Sequence, residues 1–574
     1  MKATLLLAAA GTLAALGVGA FAQAAPATDE SPPDGVVRPA DLVVVGAKIW
    51  TGESARPQAT ALACRDGRLV VVGRDAAAKA LVGPATRVVD AHGRRLIPGF
   101  IDAHTHFVEG GFELLGADLR LASSPDEFVH RFADYAKNVP GDRWILDVVW
   151  DQTRWPGAPL PRKEWLDPVS EDHPVFIQRL DGHMAVANSR ALALAGITRD
   201  TPDPDGGIIV RDPDTREPTG ALKDAAMALV EKTIPEPSPG EIEDALRAAM
   251  KHAAEVGVTS IQDITLWPQY PVMKKLHDAG RLTVRIYART PLPTWERQRD
   301  LVAESGAGDE WLRFGGFKAY ADGSVGSSTA WFFEPYADAP QTSGLRAEDW
   351  FPTGILETRV AAADQAAMQV SIHAIGDRAN AEILDLYGRV AKRDGARDRR
   401  FRIEHAQHLR KQDLARFARL GVVASMQPVH LADDGRWDDE RLGPVRSHDA
   451  YLFRSLLASG AHLAFGTDWP VAPLEPMLGI SAAVTRQTLD GKNPDGWHPE
   501  EKISLEQALR AYTAGSAYAE FGENDKGALA PGKLADFVIL SEDPFAIPPG
   551  RLEEVHPELT AVGGHVVFER PGAE

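Results

Sequence analysis

Two histidines one residue apart follow an apolar run in the segment RLIPGFIDAHTHFVEGG at 95–111. In an extended strand, residues i and i+2 point to the same face, so His104 and His106 can contact one object. Imidazole nitrogens are good ligands for Zn²⁺ and related divalent ions. The spacing alone is a weak signal, because the chain has 17 histidines. Further ligands must come from other parts of the sequence.

Polar side chains also stand at the ends of four later apolar runs. They are Lys318 in 313–320, His373 in 369–374, His405 in 401–406 and Asp468 in 462–468. Imidazoles and carboxylates can bind a divalent metal without any cysteine. A purely structural explanation would bury several costly polar groups in one place without partners. The set therefore favours one shared metal site, provided that the fold brings these strand ends together.

Eight strand candidates alternate with helical segments in the middle of the chain. The strands are predicted at 97–104, 258–264, 283–289, 313–320, 369–374, 401–406, 422–427 and 462–468. Helical periodicity lies between them, for example at 241–256 and 379–394. This alternation predicts an α/β fold, a (β/α)8 TIM-type barrel rather than an open sheet. The carboxyl ends of the strands in such a barrel converge on one mouth, where the polar residues can meet.

The barrel is predicted to span 98–515, with a large insertion after its first strand. About 107–240 is far more chain than one crossover needs, and we expect it above the barrel mouth. Both ends of the chain are rich in short strands with Gly or Asp-Gly turns. We therefore expect one small β-sandwich domain assembled from 41–97 and 516–574.

The first residues are typical of a secretory signal peptide. Lys2 precedes an apolar stretch up to about Ala20, and small residues then offer a cleavage site. We predict a signal peptide at 1–24, a Pro-rich linker at 25–40, and a secreted or periplasmic location. An uncleaved membrane anchor is the alternative. After cleavage we expect no stable membrane insertion, because no later run is apolar for long enough.

Charge and cysteine content exclude some functions. The net charge of −19 argues against a nucleic-acid partner, which normally requires a basic surface. Cys64 is the single cysteine, so no intramolecular disulfide and no thiolate metal cluster can form. The expected partner is a small-molecule substrate, and homodimer formation is left open.

Several long segments resemble the motifs of the amidohydrolase superfamily, in particular its amidohydrolase 3 branch, which includes N-substituted formamide deformylases. These segments are PGFIDAHTHF, RLDGHMAVANSRALALAGI, GFKAYADGSVGSSTAWF, VSIHAIGDRAN, RIEHAQ, FGTDWPVAPLEPM and GALAPGKLADFVILSEDPF. The resemblance covers about 41–569, nearly the whole chain after the predicted leader. It implies the same barrel, insertion and two-ended sheet domain.

The resemblance also implies roles for the strand-end residues. His104 and His106 would bind one metal, and His373 and His405 would complete a site for one or two ions, with Zn²⁺ expected. Lys318 occupies a position that is often carbamylated and bridges two metals in relatives. A mononuclear site with an unmodified Lys318 contacting substrate is the alternative. Asp468 is the candidate base, and as a carboxylate it is also a candidate ligand.

Other residues in the same motifs are candidates for substrate binding or for orienting the ligands. They are Asp102, His183, Asp322, Asp377 and Arg378. Hydrogen-bonded carboxylates commonly fix metal-binding histidines, although an Asp-Arg pair can also be an ordinary loop ion pair. Four tryptophans near the predicted mouth could line a pocket or simply pack. They are Trp150, Trp155, Trp331 and Trp469.

The expected activity is that of an exported metal-dependent hydrolase cleaving a non-peptide C–N bond. The bond could belong to an amide, an N-substituted formamide, an N-acyl group or a cyclic amide. A bound metal lowers the pKa of its water from 15.7 toward about 7, which supplies hydroxide near neutrality. The same chemistry permits deamination or ester hydrolysis. A non-catalytic binding protein is disfavoured, because every expected ligand and Asp468 are present.

Overall fold

The structure is a computed structural model that describes residues 38–572, apart from 121, 142, 147, 153–154, 171, 180–183 and 205–206. The predicted signal peptide, most of the predicted linker and His183 lie outside the described residues. Strands and helices are numbered along the chain. Within the described residues, no helix combines the length and the apolar character needed to cross a bilayer.

From residue 38 onward, seven short strands and one helix precede the barrel. They are β1 Leu42–Val45, β2 Lys48–Trp50, β3 Gln58–Ala59, β4 Ala61–Arg65, β5 Arg68–Gly73, α1 Asp75–Lys79, β6 Arg87–Asp90 and β7 Arg95–Pro98. Four of these strands form one sheet in the order β5-β4-β1-β6. The predicted strand 97–104 is therefore wrong at its start, since residues up to Pro98 belong to β7, outside the barrel. A Cβ at Gly99 would lie 2.2 Å from Thr259 Oγ1, so glycine permits the change of sheet there.

The first barrel strand, β8 Phe100–Thr105, and helix α2 Phe107–Leu115 lead into an inserted six-stranded sheet. Its elements are β9 Ala117–Leu119, α3 Pro125–Ala136, β10 Val148–Trp150, α4 Lys163–Leu166, β11 Phe176–Arg179, β12 Met184–Ala187, α5 Ser189–Leu194, β13 Gly207–Arg211, β14 Pro218–Asp224 and α6 Ala228–Glu231. The strand order is β13-β14-β12-β11-β10-β9. This sheet occupies the region predicted as an insertion.

Seven more parallel strands complete the barrel. They are β15 Val258–Ile264, β16 Arg285–Pro291, β17 Leu312–Tyr320, β18 Gln369–Ala374, β19 Arg402–His405, β20 Val423–Met426 and β21 His462–Phe465. Each pairs in parallel with the next, in the order β21-β20-β19-β18-β17-β16-β15-β8. The last strand meets the first through the backbone N–H of Asp468, which donates to the His104 carbonyl (2.7 Å). The predicted (β/α)8 barrel is confirmed.

Twelve helices accompany these strands and the return to the outer sheet. They are α7 Pro239–Glu255, α8 Tyr270–Asp278, α9 Trp295–Ser305, α10 Ile355–Gln365, α11 Asp377–Asp394, α12 Leu414–Leu420, α13 Pro428–Asp434, α14 Asp438–Leu442, α15 Phe453–Ala458, α16 Pro476–Thr485, α17 Leu505–Arg510 and α18 Ser516–Ala519. Helix α7 shows why the sequence folds this way. Ser238 and Glu241 form a capping box, and apolar residues on one face are buried against the barrel.

Short 3₁₀ segments and one π-helical turn connect several of these elements. The 3₁₀ segments are Leu292–Thr294, Glu348–Trp350, Lys411–Asp413, Ser447–Asp449, Pro499–Glu501 and Pro549–Glu554. The π-helical turn is Ala511–Gly515, between α17 and α18.

The chain ends with β22 Phe537–Leu540, β23 Pro557–Val562 and β24 His565–Glu569. These strands join three from the other end of the chain in a second outer sheet, ordered β24-β23-β22-β7-β2-β3. Leu42 and Leu62 of the first outer sheet share a buried core with Leu96 and Phe537 of the second. The predicted sandwich built from both termini is therefore confirmed, while the residue boundaries of the domains stay predictions.

Candidate metal centre

The carboxyl ends of the barrel strands surround a cavity of about 520 Å³. Six of the predicted site residues line its inner end, and they come from the ends of five strands or the turns that follow. These residues are His104, His106, Lys318, His373, His405 and Asp468. Two lie beyond their strands, since β8 ends at Thr105 and β21 at Phe465. The prediction that strand 8 reaches residue 468 is therefore wrong, although Asp468 still faces the shared cavity.

Asp468 lies between the two histidines of the first motif. Its Oδ1 atom is 3.4 Å from the Nε2 atom of His104 and 3.4 Å from that of His106. Two metal–ligand bonds of about 2.1 Å at a tetrahedral angle place their ligand atoms about 3.4 Å apart. Asp468 Oδ1 is buried and has no hydrogen-bond partner among the described residues. This arrangement fits a divalent cation.

His405 brings a further imidazole to the same point. Together with His104 and Asp468, it offers ligand atoms that all lie within 4.8 Å of one another. Its Nδ1 atom is 2.9 Å from Gln427 Oε1, an amide oxygen that fixes the ring and leaves Nε2 for a ligand. The tight group therefore consists of His104, His405 and Asp468, with His106 beside it.

His373 stands next to this group but is held differently. Its ring centroid is 4.3 Å from that of His405, and its Nε2 atom is 3.1 Å from the Gly323 carbonyl oxygen. Asp322 Oδ1 lies 3.5 Å from the same nitrogen. Asp322 also accepts backbone hydrogen bonds from Trp331, at 2.8 Å, and from Ile375, at 3.0 Å. The predicted orienting residue Asp322 thus joins the loops after two strands around His373.

Burial lowers the pKa of His104, His373 and His405 and so favours the neutral imidazole, which is the form that binds metal. Desolvation lowers the pKa of His104 to about 3 and that of His373 to about 4, with Lys318 as the nearby positive charge. Lys318 is itself buried, and its Nζ atom lies 3.2 Å from His104 Nε2. Desolvation lowers its pKa to about 8. A deprotonated lysine amine is thereby accessible near neutral pH.

A buried ionic network that the motifs did not reveal supports His104 from behind. The Glu404 carboxylate hydrogen-bonds His104 Nδ1 and contacts Arg289 Nη1 at 2.7 Å and Arg402 Nε at 2.8 Å. Burial alone would raise the pKa of Glu404, but the two guanidinium groups hold it well below its usual range. A carboxylate on Nδ1 leaves Nε2 as the metal-binding atom. The sequence feature that could have indicated this network is Glu404, a charged residue inside the predicted strand 401–406.

Asp102 ties the first strand to the segment that carries Asp468. It accepts hydrogen bonds from the backbone N–H of His104 (2.9 Å) and from the Thr467 hydroxyl (2.7 Å). The Thr467 backbone N–H donates to it as well, at 3.1 Å. Asp102 is therefore a buried acid that joins the two edges of the barrel beside the site.

Several other predicted residues lie away from the cavity. Asp377 accepts a hydrogen bond from the Phe333 backbone N–H (3.0 Å), and the Arg378 guanidinium lies 4.6 Å from the Trp331 ring centre. Both hold the loop after β17, and neither lines the cavity. The four tryptophans that were candidates for a pocket wall do not line the cavity either. Trp150, for example, is fully buried in the inserted sheet.

Two of the candidate ligands have a left-handed backbone conformation. His405 has a φ of 72° and Asp468 a φ of 62°, in the left-handed region that non-glycine residues rarely adopt. Such conformations persist only where the surroundings impose them, and they cluster at functional sites. His405 is the last residue of β19, and Asp468 follows the end of β21 by three residues.

The outer end of the cavity is formed by residues that the sequence interpretation missed. They include Gln407, Val429, His430, Asp433, Asp434, Trp437, Val471 and Leu489. Most follow the seventh and eighth strands, as QPVHLADD follows β20. Because mouth residues follow strand ends in such barrels, the polar residues Gln407, His430, Asp433 and Asp434 were predictable from their positions, whereas the apolar ones had no signal in the sequence.

A family model described as "Amidohydrolase family" matches residues 87–568. The chain belongs to the amidohydrolase family. The expected family and the expected class of enzyme, a hydrolase acting on carbon–nitrogen bonds, are thereby confirmed. This family is metal-dependent, which agrees with the ligand geometry at the inner end of the cavity.

Similar proteins support the family assignment along most of the chain. "Protein LONG AFTER FAR-RED 3" of Arabidopsis thaliana is 43% identical over 524 residues, covering 89% of this chain and 88% of its own. An N-substituted formamide deformylase of Arthrobacter pascens is 26% identical over 548 residues, covering 93% and 99%. An uncharacterized metal-dependent hydrolase from Pyrococcus furiosus, known as a crystal structure, is 30% identical with a TM-score of 0.73, covering 88% and 99%.

Proposed function

We propose that this amidohydrolase cleaves a small, non-peptide amide, such as an N-substituted formamide, an N-acyl amine or a cyclic amide. The observation that carries the proposal is the placement of His104 Nε2 and His106 Nε2 at 3.4 Å from one unpartnered oxygen of Asp468. The similarity to a formamide deformylase supports an amide of this kind.

The residues that would hold the metal are His104, His106, His373, His405 and Asp468, with Zn²⁺ the expected ion. When bound, the ion supplies a Lewis acid for the substrate carbonyl and makes hydroxide available near neutral pH. The buried imidazoles stay neutral, and Glu404 fixes the tautomer of His104. Asp468 takes the proton from the attacking water and returns it to the leaving nitrogen, so the C–N bond is replaced by an amine and a carboxylic acid, which stay in one molecule when the amide is cyclic.

Lys318 is proposed to be carbamylated. Its neutral amine attacks carbon dioxide, an N–C bond forms, and the displaced ammonium proton passes to solvent, which leaves an anionic carbamate as an added ligand. The support is its burial and its position 3.2 Å from His104 Nε2. Protein supplied with ¹³C-bicarbonate should show a carbamate carbon resonance that is absent from Lys318→Ala. An identical spectrum from the variant would contradict the modification.

A substrate panel tests the proposed reaction. Zinc-loaded protein is assayed against N-substituted formamides, acetamides, cyclic amides, matched esters and aminopurines, with amine or acid release as the readout. We expect kcat/KM to be highest for one of the amide groups. Faster turnover of an ester or an aminopurine would replace the amide assignment with esterase or deaminase activity on the same site.

We also propose that the protein is exported, on the basis of its N-terminal residue pattern alone. Expression of the full chain in a Gram-negative host, followed by N-terminal sequencing of the periplasmic protein, tests this. A mature terminus after residue 22 or 24 is expected. Protein found only in the cytoplasm with Met1 retained would contradict export.

A further inference from the structure

The outer end of the cavity presents hydrogen-bond acceptors without matching donors. Gln407 is 4% exposed and lines the cavity, and its Nε2 group donates to Asp434 Oδ2. Because the amide nitrogen faces that carboxylate, the amide oxygen Oε1 must face elsewhere, and it has no hydrogen-bond partner among the described residues. This oxygen belongs to a largely buried side chain that borders the cavity, so it can accept a hydrogen bond from a ligand or from water.

Asp434 adds a negative charge beside this amide. Its Oδ2 atom accepts hydrogen bonds from Gln407 Nε2 and from the Tyr451 hydroxyl, which are both uncharged donors. Its Oδ1 atom has no hydrogen-bond partner among the described residues. Burial raises the pKa of this carboxyl to about 7 despite the Tyr451 hydrogen bond. A carboxylate in such a place is stabilised when a cation pairs with it.

Positive charge is scarce around these acceptors. Among the described lining residues there is no arginine, and Lys318 at the inner end is the one lysine. The neighbouring Asp433 already pairs with the exposed Arg436. Asp434 has no such pair in the described chain. The buried His408 imidazole contributes positive charge nearby, but its ion pair is with Asp438, at 3.3 Å. A direct ion-pair partner for Asp434 would therefore come from a bound molecule.

Apolar side chains also line the cavity. Val325, Ile375 and Ala472 are among them, and the outer end adds Val429 and the aromatic ring of Trp437. Aromatic rings attract ammonium and guanidinium groups as well as apolar surface. A ligand with a reactive amide at one end, an apolar body and a positively charged nitrogen group at the other would match this order of surfaces.

We propose that Asp434 and Gln407 form a binding subsite for a cationic nitrogen group, an ammonium or a guanidinium. The subsite defines the substrate class as amides that carry a second, positively charged nitrogen beyond an apolar spacer. This inference rests on the proposed amide hydrolysis for its substrate, but the subsite can be tested without turnover.

A pair of matched substrates tests the subsite. The para-guanidinomethyl and para-ureidomethyl derivatives of N-benzylformamide have nearly the same shape, but only the first is charged. Zinc-loaded wild-type protein should hydrolyse the guanidinium compound with a kcat/KM at least about tenfold higher, mainly through a lower KM. Equal values, or a preference for the urea compound, would overturn the proposal.

Two variants test whether Asp434 causes the preference for the guanidinium substrate. In Asp434→Asn, which keeps the shape but removes the charge, the ratio of the two kcat/KM values should fall toward one. Tyr451→Phe is the matched control, because it removes the hydroxyl that donates to Asp434 and accepts from Gln407 but keeps the carboxylate, so the preference should persist. An unchanged ratio in a folded Asp434→Asn protein would contradict the subsite. The wild-type comparison stands if that variant does not fold.

Binding measurements test the cation subsite independently of the proposed amide hydrolysis. Calorimetry with benzylguanidinium and with the neutral benzylurea measures the subsite even if neither formamide is hydrolysed. Tighter binding of the guanidinium, lost in Asp434→Asn, supports the subsite, and absent turnover then counts only against amide hydrolysis. Equal or undetectable binding of both probes contradicts the subsite, whatever the substrate panel shows.

Discussion

The inner and outer ends of the cavity are built in different ways. The inner end is carried by barrel strands and the turns directly after them, and its residues are held by buried bonds such as those of Glu404 and Asp102. The outer end is carried by α13, the segment before α14 and mouth loops, and includes Val471 and Leu489, which are 72% and 71% exposed. In barrel enzymes, rigid strand ends suit chemistry, and loops suit substrate selection. Changes at the inner end should therefore remove activity, whereas changes at the outer end should alter which substrate is preferred.

The largest effect is expected at the proposed proton-transfer group. Asp468→Asn should lower kcat by about 10² to 10⁴-fold, because the amide cannot accept the proton of the attacking water. The amide oxygen can still contact a metal, so zinc content should remain near that of wild type. Steady-state kinetics together with elemental analysis checks both statements. If zinc content falls in parallel with activity, Asp468 is chiefly a ligand.

The next largest effect is expected at Glu404, which hydrogen-bonds the metal-ligand candidate His104. Glu404→Gln should weaken zinc affinity by about 10 to 100-fold, since a neutral amide orients the His104 ring less strongly. It should also lower the melting temperature, because Arg289 and Arg402 lose the negative charge between them. Ser425→Ala, which removes only a hydroxyl bonded to Glu404, is the milder control. Unchanged zinc affinity in Glu404→Gln would show that the inner end does not depend on this network.

The eight strands were predictable because each is a short apolar run followed by a helical pattern. The strand-end rule also placed His104, His405 and Asp468 in one cavity, although they are distant in sequence. Strand ends were less predictable. The chain leaves one sheet for another at Gly99, and the eighth strand stops before Asp468, because local turns and packing against Thr259 decide these points.

The residues that hydrogen-bond the metal-ligand candidates could not be predicted from sequence spacing. Glu404 contacts Arg289 and His104, which come from other strands, and only the closed barrel brings them together. Asp377 and Arg378 show the limit of the strand-end rule in another way. They follow a ligand in the sequence, but helix α11 turns them toward the loop after β17.

A smaller effect is expected where the barrel closes. Thr467→Val removes the hydroxyl that donates to Asp102 and leaves the carboxylate with one donor fewer. We expect the free energy of unfolding to fall by about 1–3 kcal/mol. Denaturant unfolding of the zinc-loaded protein measures it. Thr467→Ser keeps the hydroxyl and should be close to wild type, so equal losses in both variants would exclude the hydrogen bond as the cause.

The smallest effect is expected at the outer rim. Leu489→Ala should leave the melting temperature unchanged, because the side chain is 71% exposed. It should raise the KM for amides with large apolar groups by less than about tenfold, since only part of one side chain's apolar contact is lost. Steady-state kinetics with a benzyl amide and a methyl amide measures whether the rise in KM is confined to the substrate with the large apolar group. A fall in kcat for both substrates would break the proposed division between the ends of the cavity.

Residues from separate strand ends are expected to hold one metal together. Elemental analysis of protein dialysed after zinc loading tests it most directly, in wild type, in His405→Ala and in the control His462→Ala at the start of β21. We predict at least about one zinc per chain in wild type and in the control, and a clear loss in His405→Ala. Less than one zinc in wild type, or full zinc retention in His405→Ala, would contradict the account.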